Sequence, residues 1–248
     1  MKKLLFFVVL VFSMTQLWSQ NEQTLVKEDR NFRVPLLGES APSFTAETTN
    51  GTINFPSEFG RKWKVLFSHP QDFTPVCTTE ILELAYMQEQ FDKLGVKLVV
   101  VSTGSLDSHT QWKKSMESLN LNNRGPVKIK FPLVDDQSLS VSKKYGMIQP
   151  STNTTKSVRG VFIIDPENII QTILFYPMSI GRSTDELLRI VAALQTSSAE
   201  KVATPVNWKP GNDVLVPIPP KTDASNRGVA PAGYYSPIWY LWYKKANQ

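Results

Sequence analysis

The sequence holds a single cysteine, Cys77, in 248 residues, and only two histidines, His69 and His109. One thiol cannot close an internal disulfide, so no disulfide framework holds the fold. One cysteine with two histidines cannot supply a cysteine-rich zinc site or an iron–sulfur cluster either, and no cofactor is expected. No apolar run reaches the roughly 18 residues of a membrane helix, which excludes a multi-span membrane protein. Charge of one sign is also scarce. Against 22 acidic residues stand 27 basic ones, a net charge of +5, and the basic residues are dispersed rather than gathered into a patch. That is no footprint for nucleic acid. Internal repeats and low-complexity tracts are missing. What is present is a chain with 41% hydrophobic residues, enough for a core, and a length that suits one domain plus an appendage.

The first residues stand apart. Met1-Lys2-Lys3 is a short basic start, Leu4 to Phe12 an apolar run, and a more polar stretch follows. That order is the layout of a signal peptide over residues 1–19, with small Ser19 just before the cut and a less ideal Leu17 three places before it. A retained membrane anchor is the alternative. An exported chain, periplasmic or secreted, usually pairs its cysteines. Cys77 has no partner within the chain, so it is the first residue to explain.

Periodicity organises the rest. Residues 44–55 read as a hairpin about the Asn50-Gly51 turn. Trp63 to Ser68 reads as a strand. Ile81, Leu84, Met87, Phe91 and Leu94 recur at helical spacing, and Gly95 stops that helix. Val96 to Thr103 is nearly all apolar, as in a strand covered on both faces. A helix over 106–119, a strand at 131–134 and a short helix at 137–146 follow. Val158–Ile164 and Ile169–Phe175 form a second hairpin, and Asp185 begins the last core helix. This order describes an α/β sheet with a parallel part and an antiparallel edge. The expected boundaries are a core over 34–200 and a C-terminal extension over 201–248. The extension is rich in proline, and it ends in a dense aromatic run from Tyr234 to Tyr243. That run suits packing against the core or a second subunit, with an interfacial membrane anchor as the alternative.

Cys77 lies between a strand and an amphipathic helix. Thr74 suits the N-cap and Pro75 the first helical position. The thiol then falls in the first turn, where free N–H groups and the helix dipole favour a thiolate. The Thr74 hydroxyl, three residues earlier, is within reach of the sulfur side of the turn. A favoured thiolate is not enough for catalysis. Ionising a thiol fully at pH 7 gains about thirtyfold in thiolate, but falling nucleophilicity takes back about ten- to eighteenfold. Fixed positive donors must also stabilise charge as it develops. A permanent cation suits this, and Arg159, at the head of the strand RGVFIID, is a candidate. His69 alone reads as a structural histidine, and His109, in its own helix, as an exposed one.

Pro70-x-x-x-Thr74-x-x-Cys77 resembles the peroxiredoxin signature, and Ser68 to Glu80 (SHPQDFTPVCTTE) closely resembles its one-cysteine subgroup. The likeness runs from Val34 through VRGVFIIDP and YPMSIGRSTDELLR to Gly211. It implies a thioredoxin-like fold with a central mixed sheet, and a thiol-dependent peroxidase that acts in antioxidant defence. Cys77 would reduce hydrogen peroxide and organic hydroperoxides through a sulfenic acid. Thr74 and Arg159 are implied to bind thiolate and peroxide, and Pro70 to shield the pocket. Glu80 and Arg182 match the supporting network, and His69 a histidine characteristic of the subgroup. The resemblance also suggests a homodimer or higher homo-oligomer, with the extension as a dimer contact. No resolving cysteine is present, so an external thiol or other reductant must reset Cys77. Some animal relatives carry a lipase serine, but Lys62 stands at that position and the activity does not carry over. Two further readings compete. One is a Cys77–His69 hydrolase, which lacks an evident orienting partner. The other is a non-catalytic interaction or chaperone protein that uses the aromatic tail.

Overall fold

The computed structural model describes residues 33–217 and 230–246. The expected signal peptide over 1–19 lies outside the described residues. The elements are β1 (Phe44–Ala46), β2 (Ile53–Phe55), β3 (Trp63–Ser68), α1 (Pro75–Lys93), β4 (Val96–Ser102), α2 (Leu106–Met116), β5 (Leu133–Asp135), α3 (Ser140–Lys144), β6 (Arg159–Ile164), β7 (Ile170–Tyr176), α4 (Thr184–Glu200), β8 (Val214–Val216), β9 (Tyr234–Ile238) and β10 (Leu241–Lys244).

Strand alternation builds the centre of the molecule. The sheet order is β5-β4-β3-β6-β7, with β3, β4 and β5 mutually parallel and β6 and β7 added as an antiparallel hairpin. Successive side chains of a strand point to opposite faces. Val65, Phe67, Val100, Val161 and Ile163 therefore bury on one face, and Leu66, Val99, Val101, Phe162 and Ile164 on the other. Helices cover the first face: Ile81 and Leu84 of α1, Trp112 and Met116 of α2, and Leu187 and Val191 of α4 share its core. The β1–β2 hairpin and α3 cover the second through Phe44, Phe55, Val141 and Tyr145. With both faces covered, the inner strands read as near-continuous apolar runs. Removing one of these fully buried side chains, as in Leu66→Ala, costs about 2–5 kcal/mol in such a core.

Local signals set the helix ends. Gly95, with φ 67°, takes the left-handed conformation that ends α1. The Ser105 hydroxyl accepts from the Ser108 N–H at the start of α2, and Ser183 does the same for Glu186 at the start of α4. The expected helix over 137–146 is shorter, Ser140–Lys144, and the expected strand at 131–134 shifts to Leu133–Asp135.

The extension is more ordered than its composition suggests. Val214–Val216, Tyr234–Ile238 and Leu241–Lys244 form a separate antiparallel sheet in the order β8-β10-β9. Pro237 lies on the outer strand β9, where a missing N–H donor leaves no ladder bond unmade. Trp208 and Val214 pack on Ala192 and Ala193 of α4. At the hairpin tip, Trp239 and Tyr240 are 75% and 62% exposed. Among the described residues, no helix is long and apolar enough to cross a membrane.

Candidate active site

Strand β3 ends at Ser68, and a short loop leads through His69, Pro70, Gln71, Asp72 and Phe73 into α1. The junction is tied to the start of β6. The Ser68 hydroxyl donates to the Val158 carbonyl at 2.6 Å and accepts from the Gly160 N–H at 2.8 Å, and Ser157 Oγ donates to the His69 carbonyl at 2.9 Å. These bonds bring Arg159, the first residue of β6, beside the first turn of α1 despite their separation in sequence.

Thr74 occupies the N-cap position of α1 with extended backbone, and Pro75 begins the helix. Cys77 therefore lies in the first turn, where backbone N–H groups have no partner within the helix. Its side chain is 1% exposed. The Thr74 hydroxyl departs from the sequence expectation. It donates to the Gln71 carbonyl at 2.9 Å and forms no capping bond, so it braces the loop rather than reaching the sulfur. Pro70 is buried beside it.

Around the thiol the charges are closely interlocked. Arg159 Nη1 donates to Cys77 Sγ at 3.3 Å and to Glu80 Oε2 at 2.6 Å. Its Nε and Nη2 both donate to the Met178 carbonyl, at 3.0 and 2.6 Å, which fixes the plane of the guanidinium. Glu80, one helical turn after Cys77, accepts at both oxygens. Oε1 takes the Arg182 backbone N–H and Nε, each at 2.8 Å, while Oε2 takes Arg182 Nη2 at 2.7 Å. Arg182 Nη1 donates to the Gly160 carbonyl at 2.9 Å, and the guanidinium lies 3.4 Å over the Phe67 ring. All four residues are buried, at 8% exposure or less. Burying two cations against one carboxylate leaves net positive charge directly beside the Cys77 sulfur. Charge-assisted, bidentate contacts of this kind hold geometry firmly.

The two histidines behave differently from expectation. His109 reads from the sequence as exposed, but it is fully buried. Its Nδ1 lies 2.7 Å from Asp72 Oδ2 and its Nε2 lies 3.0 Å from the Val134 carbonyl. The signal was available: His109, Trp112 and Met116 share one helix face, and the other two are core residues. His69 is also buried. Its ring packs against Trp112 at 4.9 Å, and its Nε2 is 3.6 Å from Asp72 Oδ1, beyond hydrogen-bond length. Burial pushes its pKa down to about 3, against the pull of the Asp72 charge. Neither His69 nitrogen has a hydrogen-bond partner among the described residues, so the Cys77–His69 pairing a hydrolase needs is not formed. Asp72 and the Met178 carbonyl were not singled out from the sequence. Lys62 is exposed at the turn before β3. Among the described residues, no group of three or more metal-ligating side chains gathers.

Comparison with known proteins agrees with this geometry. The AhpC/TSA family matches residues 37–173, and the C-terminal domain of 1-Cys peroxiredoxin matches 193–233. A peroxiredoxin of Methanosarcina mazei is 49% identical, the match spanning 87% of this chain and all of that protein. A peroxiredoxin of Aquifex aeolicus is 42% identical over 86% of this chain and 97% of its own. Among solved structures, a yeast mitochondrial 1-Cys peroxiredoxin, studied for thiol resolution through glutathione and thioredoxin systems, superposes with a TM-score of 0.74 at 36% identity. The overlap covers 86% of this chain and 100% of that one. A cysteine-to-serine mutant of peroxiredoxin 6 from Arenicola marina also gives a TM-score of 0.74, at 32% identity, with 86% of this chain and 99% of that one covered. The fold is thioredoxin-like, and the lone thiol with no second cysteine matches the one-cysteine branch. The chain belongs to the peroxiredoxin family of thiol-dependent peroxidases.

Proposed function

We propose that Cys77 is the residue that reduces the peroxide, with Arg159 as the cation that supports both thiolate and substrate. The observation that carries this reading is the 3.3 Å contact from Arg159 Nη1 to Cys77 Sγ inside a buried, hydrogen-bonded charge network. The thiolate sulfur attacks the terminal oxygen of the hydroperoxide. The O–O bond breaks, the sulfur becomes a sulfenic acid, and the leaving oxygen takes a proton and departs as water or an alcohol. Negative charge moves from sulfur toward that leaving oxygen, and a guanidinium already in place stabilises it without reorganising. Pro70 and the Thr74 backbone shape the wall of the pocket.

With no second cysteine in the chain, an external thiol completes the cycle. It attacks the sulfenic sulfur, water leaves, and a mixed disulfide forms. A second external thiol then releases Cys77 as the thiol and carries away the oxidised pair. Cys77→Ser is expected to reduce hydrogen peroxide consumption to the uncatalysed background. Consumption at the wild-type rate in that variant sinks the assignment.

Two further parts of the reading concern the ends of the chain. Residues 1–19 act as an export signal, supported by the basic start and apolar run. The intact mass of protein recovered from outside the cytoplasm reads the cut directly, and a mass that retains Met1 refutes it. The extension joins two copies into a homodimer, supported by the exposed aromatic tip at Trp239 and Tyr240. Sedimentation of the full chain is expected to give twice the monomer mass, and a monomer at micromolar concentration overturns it.

A further inference from the structure

A second buried polar cluster lies on the other side of the active-site loop, and the reaction above makes no use of it. Asp72 sits in that loop between Pro70 and Thr74. Its Oδ2 accepts from Ser108 Oγ at 2.6 Å and pairs with His109 Nδ1 at 2.7 Å, while His109 Nε2 meets the Val134 carbonyl at 3.0 Å. Both ring nitrogens therefore face acceptor groups. The carboxylate is ionised there. Burial pushes the Asp72 pKa up, but the His109 hydrogen bond, the two neighbouring histidines and the Ser108 hydroxyl outweigh burial and lower it from the ordinary value. The His109 ring, on α2, thereby joins the loop to strand β5.

Two independent observations indicate that this junction holds the loop in a set shape. Phe73, the next residue, has φ 54°, in the left-handed region that bulky residues avoid unless their surroundings enforce it. Gly104 closes over the pair from the β4–α2 turn. A Cβ built there would lie 2.9 Å from His109 Cε1 and 3.0 Å from Asp72 Oδ2, so only a glycine lets this turn pack directly against the pair. Past Phe73 the chain passes straight into Thr74 and the helix turn that carries Cys77. Any slack in Asp72 is therefore delivered to the pocket wall.

We propose that the Asp72–His109 pair is the anchor that sets the loop from Pro70 to Thr74 against Cys77, which makes His109 a positioning residue for peroxide reduction. The proposal rests on the peroxidase reading above. It separates two jobs: Arg159, Glu80 and Arg182 govern charge at the sulfur, and Asp72 with His109 governs where the peroxide is held.

The test compares full-length wild type with His109→Leu, His109→Asn and Gly104→Ala. Two rates are measured for each: oxidation of Cys77 by one equivalent of hydrogen peroxide, and alkylation of Cys77 by iodoacetamide. Misplacing a reacting group by a fraction of an ångström to an ångström costs about ten- to a hundredfold, and His109→Leu is expected to slow oxidation by that much. Alkylation needs access to the sulfur but no peroxide held at a set distance from it, and it stays within about twofold of wild type. His109→Asn, whose amide nitrogen stands where Nδ1 stood, restores oxidation to within about threefold of wild type because the Asp72 bond is regained. Gly104→Ala, which removes no hydrogen-bonding atom, slows oxidation in the same direction. If His109→Leu does not fold, Gly104→Ala and His109→Asn decide: wild-type oxidation in Gly104→Ala, or a loss as deep in His109→Asn as full removal predicts, overturns the proposal. Equal loss of oxidation and alkylation overturns it as well, since that marks general collapse. If wild type itself is not oxidised at Cys77, the peroxidase reading fails first, and the proposal falls with it.

Discussion

Two buried polar clusters flank the same strand, loop and helix, and they are built in opposite ways. On the thiol side, Glu80 accepts four hydrogen bonds from Arg159 and Arg182, and each guanidinium is also tied to a backbone carbonyl. On the histidine side, Asp72 Oδ1 and both nitrogens of His69 have no partner among the described residues. A saturated ionic network has one low-energy arrangement, and its failure is severe because a lone buried charge is left behind. A half-satisfied network rests on fewer bonds, so each bond it does make matters more. The difference teaches that charge at the sulfur is fixed in advance, whereas the loop that frames the substrate is held by fewer bonds.

The sharpest way to break this contrast is at Glu80. Glu80→Gln removes the countercharge of two buried guanidinium groups, and a loss of about 3–5 kcal/mol is expected. Asp72→Asn should cost less, about 1–3 kcal/mol for a disturbed buried hydrogen bond. Urea denaturation of both variants measures the gap, and equal losses erase the distinction between the clusters. Next in size is Arg159→Lys. The cation is kept but the fork that spans Cys77, Glu80 and Met178 is lost, so the peroxide rate should drop about 10²–10³-fold. Stopped-flow oxidation reads it, and a loss under threefold shows that charge alone suffices.

The third prediction concerns pH. His69 is held neutral, with its pKa lowered to about 3 from an ordinary 6.5. Below pH 6.5 the unfolded chain takes up a proton at this residue that the native state refuses. Stability from this residue is thus complete above pH 6.5 and declines toward pH 3, by at most about 1.4 kcal/mol per pH unit. His69→Asn should flatten that slope in melting experiments between pH 6.5 and 4.5, and an unchanged slope rejects the role. Smallest is Phe73→Gly. Relief of the left-handed backbone and the entropy of a new glycine nearly cancel, so the change should stay within about 1 kcal/mol.

What could be read from the sequence follows the range of each signal. Thr74, Pro75 and Cys77 are neighbours, and rules for helix starts act over a few residues, so the thiol's place in the first turn was legible. So were the Asn50-Gly51 hairpin, the β6–β7 hairpin and Gly95. Arg159 lies far along the chain from Cys77, and no spacing rule links them; the need for a fixed cation makes it a candidate, and the family resemblance gives it its role. His109 reads as exposed in its own helix, although Trp112 and Met116 on the same face argue for the interior. Thr74 was placed correctly, but a hydroxyl's choice between the sulfur and the Gln71 carbonyl depends on loop geometry. The extension hid its sheet because β8 and β10 pair across a long intervening segment, and Pro237 weakens the strand pattern of β9.

The burial of Cys77 at 1% exposure also has a meaning in terms of traffic. So little exposed surface favours a small reactant over a large one. A thiol carried on another folded protein meets the loop from His69 to Phe73 and the first turn of α1 before it meets the sulfur.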